Sequence, residues 1–331
     1  MQQFVNSVKS SHGDIKTAVI LAGPNELGQH ASNWTRHWNT AILKNCTALD
    51  AVSFHWYVGP VHMPTNQTCS ASSATTRAST AQVMAQLGIV SEQWRAIQAQ
   101  ILSQSEVAAR ELWVTEYNLF DLEHNPNTHV CFARSWAHTL VSLSMAMRFL
   151  HQPKLRVLIA HSLFGNHNFA AITGPPRASG PFRPTAFGIG QIFLGLTLSH
   201  DTSIYDHQSL AALAFEGTPS SASLFGVARV LRNDTIAALL LNTSPRPTVA
   251  MVPVMFERQN NVHLLTATVA DITMLDISLD DVMWTESVVQ VGGIPRTASP
   301  FLVLPPFAVG IMCSTDSSVL QQVRRTFRIG L

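Results

Sequence analysis

Charge is scarce in this sequence of 331 residues. Asp, Glu, Lys and Arg make up 12% of it and nearly cancel, to a formal net charge of +1. With no basic block either, the charge balance argues against nucleic acid as the main partner. Long apolar runs are lacking too. Runs such as Ile236–Leu241 and Val157–Ala160 are strand-sized, far short of the roughly 18 residues a membrane span needs. Cysteine appears four times (Cys46, Cys69, Cys131, Cys313) without a CxxC spacing, so a zinc cluster loses its usual signature. Cys46 and Cys69 flank one segment, which leaves a disulfide between them open. No HExxH, GxSxG or P-loop occurs, against a zinc protease, an esterase and a nucleotide-binding loop. The glycines of FGIGQIFLG (Gly188, Gly190, Gly195) miss the dinucleotide spacing and read as close helix packing. No metal and no organic cofactor is expected.

What is present is apolar bulk and an alternating rhythm. Apolar residues reach 46%, enough for a substantial core and against disorder. In the first half, strand-like runs at Thr17–Ala22, Ala51–Trp56, Leu112–Thr115 and Val157–His161 alternate with helical stretches. Val83, Leu87, Val90, Trp94, Ile97 and Ile101 recur at helical spacing, and Ser135–Leu150 reads as a helix closed by Pro153. This is the pattern of a parallel α/β protein. After Thr173 the composition turns Pro-, Gly- and Ser-rich, and Phe187–Leu196 reads as a last helix. Short β runs follow: Leu210–Phe215, Ser223–Arg229, Thr235–Asn242, Val249–Phe256, Val262–Ala267 and Phe301–Cys313. They fit an antiparallel sandwich. The expected domains are 1–190 and 191–331. Trp56, Trp113 and Trp136 read as core.

Polar residues gather after successive strands of the first half. They are Asn25 and Glu26, then His55 and Tyr57, then Glu116 and Tyr117, then His161 and Asn166. That is where the loops of a TIM barrel build an active site, because they all open on one face. Two carboxylates in such a site are what retaining glycoside hydrolysis requires. One protonates the departing oxygen and the other attacks the anomeric carbon, across about 5 Å. A tyrosine hydroxyl suits the task of keeping the nucleophile ionised and aimed.

These motifs resemble those of the clan A glycoside hydrolases, and within them the α-L-arabinofuranosidase-like group. GPNELG (Gly23 to Gly28) is similar to the family's Asn-Glu pair after barrel strand four, and LWVTEYN (Leu112 to Asn118) to its nucleophile segment after strand seven. DAVSFHWY (Asp50 to Tyr57) resembles strand six, VLIAHSLFGN (Val157 to Asn166) strand eight, and LVLPPFAVGIM (Leu302 to Met312) the closing strand of the family's sandwich. The resemblance implies Glu116 as nucleophile and Glu26 as acid/base. It implies Asn25, His55, Tyr57, Tyr117 and His161 as substrate-binding residues, and an oligo- or polysaccharide of cell walls as substrate. The rival readings are a neighbouring clan A activity (β-glucuronidase, β-xylosidase or endoglucanase) and a non-catalytic carbohydrate-binding protein.

Two departures shape the expected fold. A complete barrel takes roughly 250 residues, yet about sixteen precede the strand numbered four, and only about two dozen separate Glu26 from strand six. The expectation is therefore a partial (β/α)8 barrel, strands 4 to 8 with strand 5 missing, followed by an all-β sandwich, in an N-terminally truncated chain. Sequons at Asn33, Asn45, Asn66, Asn233 and Asn242 fit a secreted glycoprotein, although MQQFVNSVKSSHGDIK lacks a signal peptide's apolar core.

Overall fold

The computed structural model describes residues 2–23, 33–59, 79–119, 130–165, 170–174, 182–198, 210–212, 223–230, 236–252, 256, 259–274, 277–291, 301–314 and 318–327; of these, 33–36, 130–131, 210–212, 230 and 318 are described in backbone only. Helix and strand alternate through the first half. In order they are α1 (Gln2–Ser11), β1 (Ala18–Ile20), α2 (Asn33–Asn45), β2 (Ala51–Val58), α3 (Thr80–Ile97), α4 (Ser105–Ala108), β3 (Glu111–Leu119), α5 (Val130–Ala133), α6 (Trp136–Leu150) and β4 (Leu155–Ala160). The four strands form one all-parallel sheet in the order β1-β2-β3-β4. Each strand pairs with its neighbour in sequence across at least one helix, as right-handed βαβ units do.

Local chemistry sets these elements. Ser79 caps α3 through a reciprocal pair with Gln82, its hydroxyl accepting from the Gln82 amide while the Gln82 side chain accepts from the Ser79 amide. Val83, Leu87, Val90, Trp94 and Ile97 form the buried stripe of that helix, and Ile101 extends it through a π-helical turn, Gln98–Leu102. Trp56 on β2 packs between Trp94 of α3 and Phe149 of α6, with ring centroids 5.8 and 5.3 Å away. Trp56 and Trp136 are fully buried as expected. Trp113 is half-buried, its indole N–H donating to Glu111 at 3.1 Å.

α6 is buried along nearly its whole length. An apolar helix of that kind needs partners on both sides. It has the parallel sheet on one side and α7 (Ala186–Leu198) and the second sheet on the other. Two short strands, β5 (Ile172–Thr173) and β6 (Arg183–Pro184), precede α7 as an antiparallel pair. A Cβ on Gly188 would lie 1.8 Å from the Ala171 carbonyl oxygen, and one on Gly190 3.0 Å from Ser142 Oγ. These two glycines are packing glycines, whereas a Cβ on Gly195 would meet open space. The boundary expected at 190 falls inside this continuous helix, and one apolar core runs unbroken from Val19 through α6 and α7 into the second sheet.

That second sheet has six antiparallel strands in the order β12-β11-β14-β9-β8-β7. The strands are β7 (Leu210–Ala212), β8 (Leu224–Val230), β9 (Ile236–Asn242), β11 (Asn261–Thr268), β12 (Met283–Gln290) and β14 (Val309–Ser314). A separate pair, β10 (Thr248–Met251) with β13 (Phe301–Leu304), covers its outer face. Strand alternation divides the work. Ala237, Leu239 and Leu241 point into the core shared with the helices, while Ile236, Ala238 and Leu240 point toward β10 and β13. The run Phe301–Cys313, expected as one strand, breaks at Pro305-Pro306: β13 joins β10, and β14 turns back between β11 and β9. Proline there has no N–H to continue a ladder. β12 escaped the sequence reading because it is an exposed edge strand without an apolar face. α8 (Ser318–Thr326) closes the chain, Arg324 gripping Glu286 of β12 at 2.7 and 2.8 Å.

Candidate active site

The parallel sheet turns one face to the helices and leaves the other half-open. Ile20, Ser53, Trp113 and Val157 share a row in the register across all four strands. Ile20 and Ile159 are 56% and 50% exposed. One residue-step matters on this face. The β2–β3 register pairs Phe54 with Val114 but His55 with Glu116, skipping Thr115. Ser53 and His55 lie on one face because strand side chains alternate. The Ser53 and Thr115 hydroxyls are 2.7 Å apart, and His55 Nδ1 is 3.4 Å from Glu116 Oε2. Thr115 and Glu116 therefore share that face, which only a β-bulge permits. Bulges re-aim side chains in this way beside active sites.

Tyr57 completes the arrangement. Its hydroxyl donates to Glu116 Oε2 at 2.5 Å. Burial and the adjoining carboxylate push the Tyr57 phenol above its ordinary range, so it remains a donor at any physiological pH. A hydrogen bond to a charged acceptor contributes about 1.5–3 kcal/mol when buried. Here both partners are partly solvated, and the value is smaller. The His161 ring, just beyond β4, meets the Tyr57 ring edge-on at 6.0 Å. Glu116, Tyr57, His55 and His161 thus form one cluster at the C-terminal ends of β2, β3 and β4.

Tyr117 is a correction. It is expected to touch substrate, but it follows the bulge and faces the helices. It is fully buried, its hydroxyl donating to Gln191 of α7 at 3.0 Å and its ring packing on Phe187. Asn25, Glu26 and Asn166 lie outside the described residues. β1, the strand leading to Glu26, is clamped at its end by buried Asn39, which accepts from the Ala22 N–H and donates to the Ala22 carbonyl at 2.7 and 3.1 Å.

The sequence reading passed over two buried polar residues beneath the cluster. Asn118 and His138 are wholly enclosed, with His138 Nε2 2.7 Å from Asn118 Oδ1 and Nδ1 2.7 Å from the Ala133 carbonyl oxygen. Burial pushes His138 down to about 4. A histidine inside the otherwise apolar helix WAHTLVSL was the available signal. Among the described residues no group of three or more His, Cys, Asp or Glu side chains is placed to hold a metal, and no helix is long and apolar enough to cross a membrane. Cys46 is a buried free thiol; Cys69 lies outside the described residues. The sequon at Asn242 is closed to modification in the fold, since that side chain is buried and donates to the carbonyls of Arg246, Leu304 and Pro305.

No protein-family model matches the chain, and no curated protein does. Solved structures do. A family 51 α-L-arabinofuranosidase from Bifidobacterium longum superposes with a TM-score of 0.63 at 13% identity, over 95% of this chain and 61% of that one. The α-L-arabinofuranosidase from Thermotoga maritima, solved as an arabinose complex, gives 0.58 at 11% identity, over 94% and 60%. A family 86 β-porphyranase from Bacteroides plebeius gives 0.50 at 11%, over 96% and 51%. The likeness is one of fold: nearly all of this chain follows an arabinofuranosidase-like glycoside hydrolase architecture. It spans about three-fifths of the length of the two arabinofuranosidases.

Proposed function

We propose that the protein is a retaining O-glycoside hydrolase of cell-wall saccharides, acting on α-L-arabinofuranosides, with Glu116 as nucleophile. The observation that carries this reading is the short hydrogen bond from Tyr57 to Glu116 Oε2, on a carboxylate that a bulge turns to the open face of a parallel sheet. Tyr57 holds Oε2 by its hydrogen bond, with His55 Nδ1 alongside at 3.4 Å, and Oε1 is the attacking atom. As Oε1 bonds to the anomeric carbon, the glycosidic C–O bond breaks, and the departing oxygen takes a proton from the acid/base carboxylate. That carboxylate then removes a proton from the water that cleaves the glycosyl ester, releasing Glu116. Fold likeness to arabinofuranosidases supports the sugar class.

For the acid/base, GPNELG nominates Glu26. A second reading rests on the pairing of β1 directly with β2 across one helix. If β3 is barrel strand seven and β2 strand six, β1 counts as strand five. Glu26 then follows strand five rather than four, and the acid/base is another carboxylate. The test is turnover of aryl α-L-arabinofuranosides. Glu116→Ala should abolish it, and azide should restore it with inverted product; undiminished turnover overturns the reading. If Glu26 is the acid/base, Glu26→Gln lowers kcat/KM for substrates with poor leaving groups far more than for activated ones, and slows release of the glycosyl-enzyme for all of them. Equal rates on all leaving groups support the second reading.

A further inference from the structure

We propose that Asn118 and His138 are positioning residues, forming a buried polar strap that fixes the end of β4 and, through His161 and Tyr57, aims the Glu116 carboxylate. The role in aiming a nucleophile rests on the function proposed above; the strap itself does not.

The β3–β4 ladder makes its last paired contact at Tyr117 and Ala160. One step on, the His161 N–H reaches the Tyr117 carbonyl only at 3.4 Å. Beyond that point a side chain takes over, as Asn118 Nδ2 donates to the His161 carbonyl. The orientation of the amide is set independently. The Leu119 N–H donates to Asn118 Oδ1 at 2.7 Å, so the oxygen end is the one facing His138 Nε2. The His138 ring is held at its far nitrogen by the Ala133 carbonyl and stacks on Phe187 at 5.3 Å, 17° from parallel. A neutral imidazole carries one N–H, so the ring donates to one of these two oxygens and lies against the other, while the stack on Phe187 fixes its plane.

These contacts close a circuit. Asn118 lies two residues past Glu116 and holds the His161 main chain. The His161 ring meets Tyr57 edge-on, and Tyr57 donates to Glu116. The circuit joins β2, β3, β4 and α6. A leucine at position 118 would fill the same core without the cost of burying an amide. The amide's placement is accounted for by what it holds. Buried polar contacts of this kind favour one arrangement of their surroundings.

The test compares Asn118→Ala, His138→Phe and His138→Gln, each checked for folding by circular dichroism. Ultraviolet titration of each protein against its own Tyr57→Phe counterpart isolates the Tyr57 phenol. In the unaltered protein that phenol ionises well above its ordinary value. Asn118→Ala and His138→Phe should bring it down toward that value, while His138→Gln, whose amide can still donate to Asn118, stays near the unaltered protein. On aryl arabinofuranosides the first two should lose about tenfold in kcat with KM within twofold. Folded variants with an unmoved Tyr57 titration overturn the strap. A moved titration in a protein without glycosidase activity sustains the strap and sinks the catalytic reading. If the variants do not fold, hydrogen exchange in the unaltered protein decides: slow exchange of the Asn118 carboxamide protons supports the strap, and fast exchange overturns it.

Discussion

The two main sheets of the molecule are built from similar residues and put to opposite uses. β9, in the antiparallel sheet, is buried at every position, with one face on the helices and the other on β10 and β13. In the parallel sheet, the helix-facing side of β2 and β3 is as apolar, carrying Phe54, Trp56 and Val114. Its other side carries buried Ser53 and, partly open to solvent, His55, Tyr57, Thr115 and Glu116. Filling both faces leaves a sheet nothing to do but hold the fold together. Leaving one face uncovered, with paired polar groups on it, makes room for a ligand beside a hydrogen-bonded carboxylate.

This contrast predicts effects of different kinds. The largest change in stability belongs to the covered sheet. Leu239→Ala should cost about 2–5 kcal/mol, read by denaturant unfolding, and should leave the Tyr57 titration in place. An intact melt would mean that β9 is not the keystone assigned to it. Next comes the buried histidine between the two regions. His138 sits at about 4 in the fold against an ordinary 6.5, so the fold prefers the neutral ring and the unfolded chain takes up protons first as pH drops. Stability is full above pH 6.5 and should decline toward pH 4, by up to about 3 kcal/mol. His138→Gln should flatten most of that decline, and an unchanged profile would remove His138 as its source. The smallest effect on stability belongs to the open face. Tyr57→Phe should change the melt by less than about 1 kcal/mol yet lower kcat on aryl arabinofuranosides roughly 10- to 100-fold. Equal losses in stability and activity would erase the distinction between the sheets.

Much of the fold was legible because burial leaves a periodic trace. The expected runs Thr17–Ala22, Ala51–Trp56, Leu112–Thr115 and Val157–His161 each fall on a strand of the parallel sheet, and the stripe Val83 to Ile101 is the buried side of α3 and the turn after it. What escaped were features set by single residues or by edges. Period-two counting cannot reveal the extra residue at Thr115, so the sequence reading ended β3 at Thr115, while the strand runs on to Leu119. The resemblance put Tyr117 on the sugar side, whereas after the extra residue it turns to the helices. β12 is an exposed edge strand with only Trp284 and Val289 packed against the cores, and alternation gives little signal where each face is covered at a single residue. For the candidate site, the pairing of Glu116 with Tyr57 and His55 followed from residues recognised in the sequence. The amide and imidazole beneath them did not, because a buried polar group announces itself only through its partners.

One measurement bears most directly on the claim that Glu116 is the attacking group. Treat the protein with an arabinofuranose-configured epoxide, which forms an ester with the nucleophile of a retaining enzyme, and map the adduct by peptide mass spectrometry. The account predicts a single sugar-sized mass increment on Glu116, lost in Glu116→Gln and much slower to form in Tyr57→Phe. An adduct on another carboxylate, or none after prolonged exposure, would contradict it.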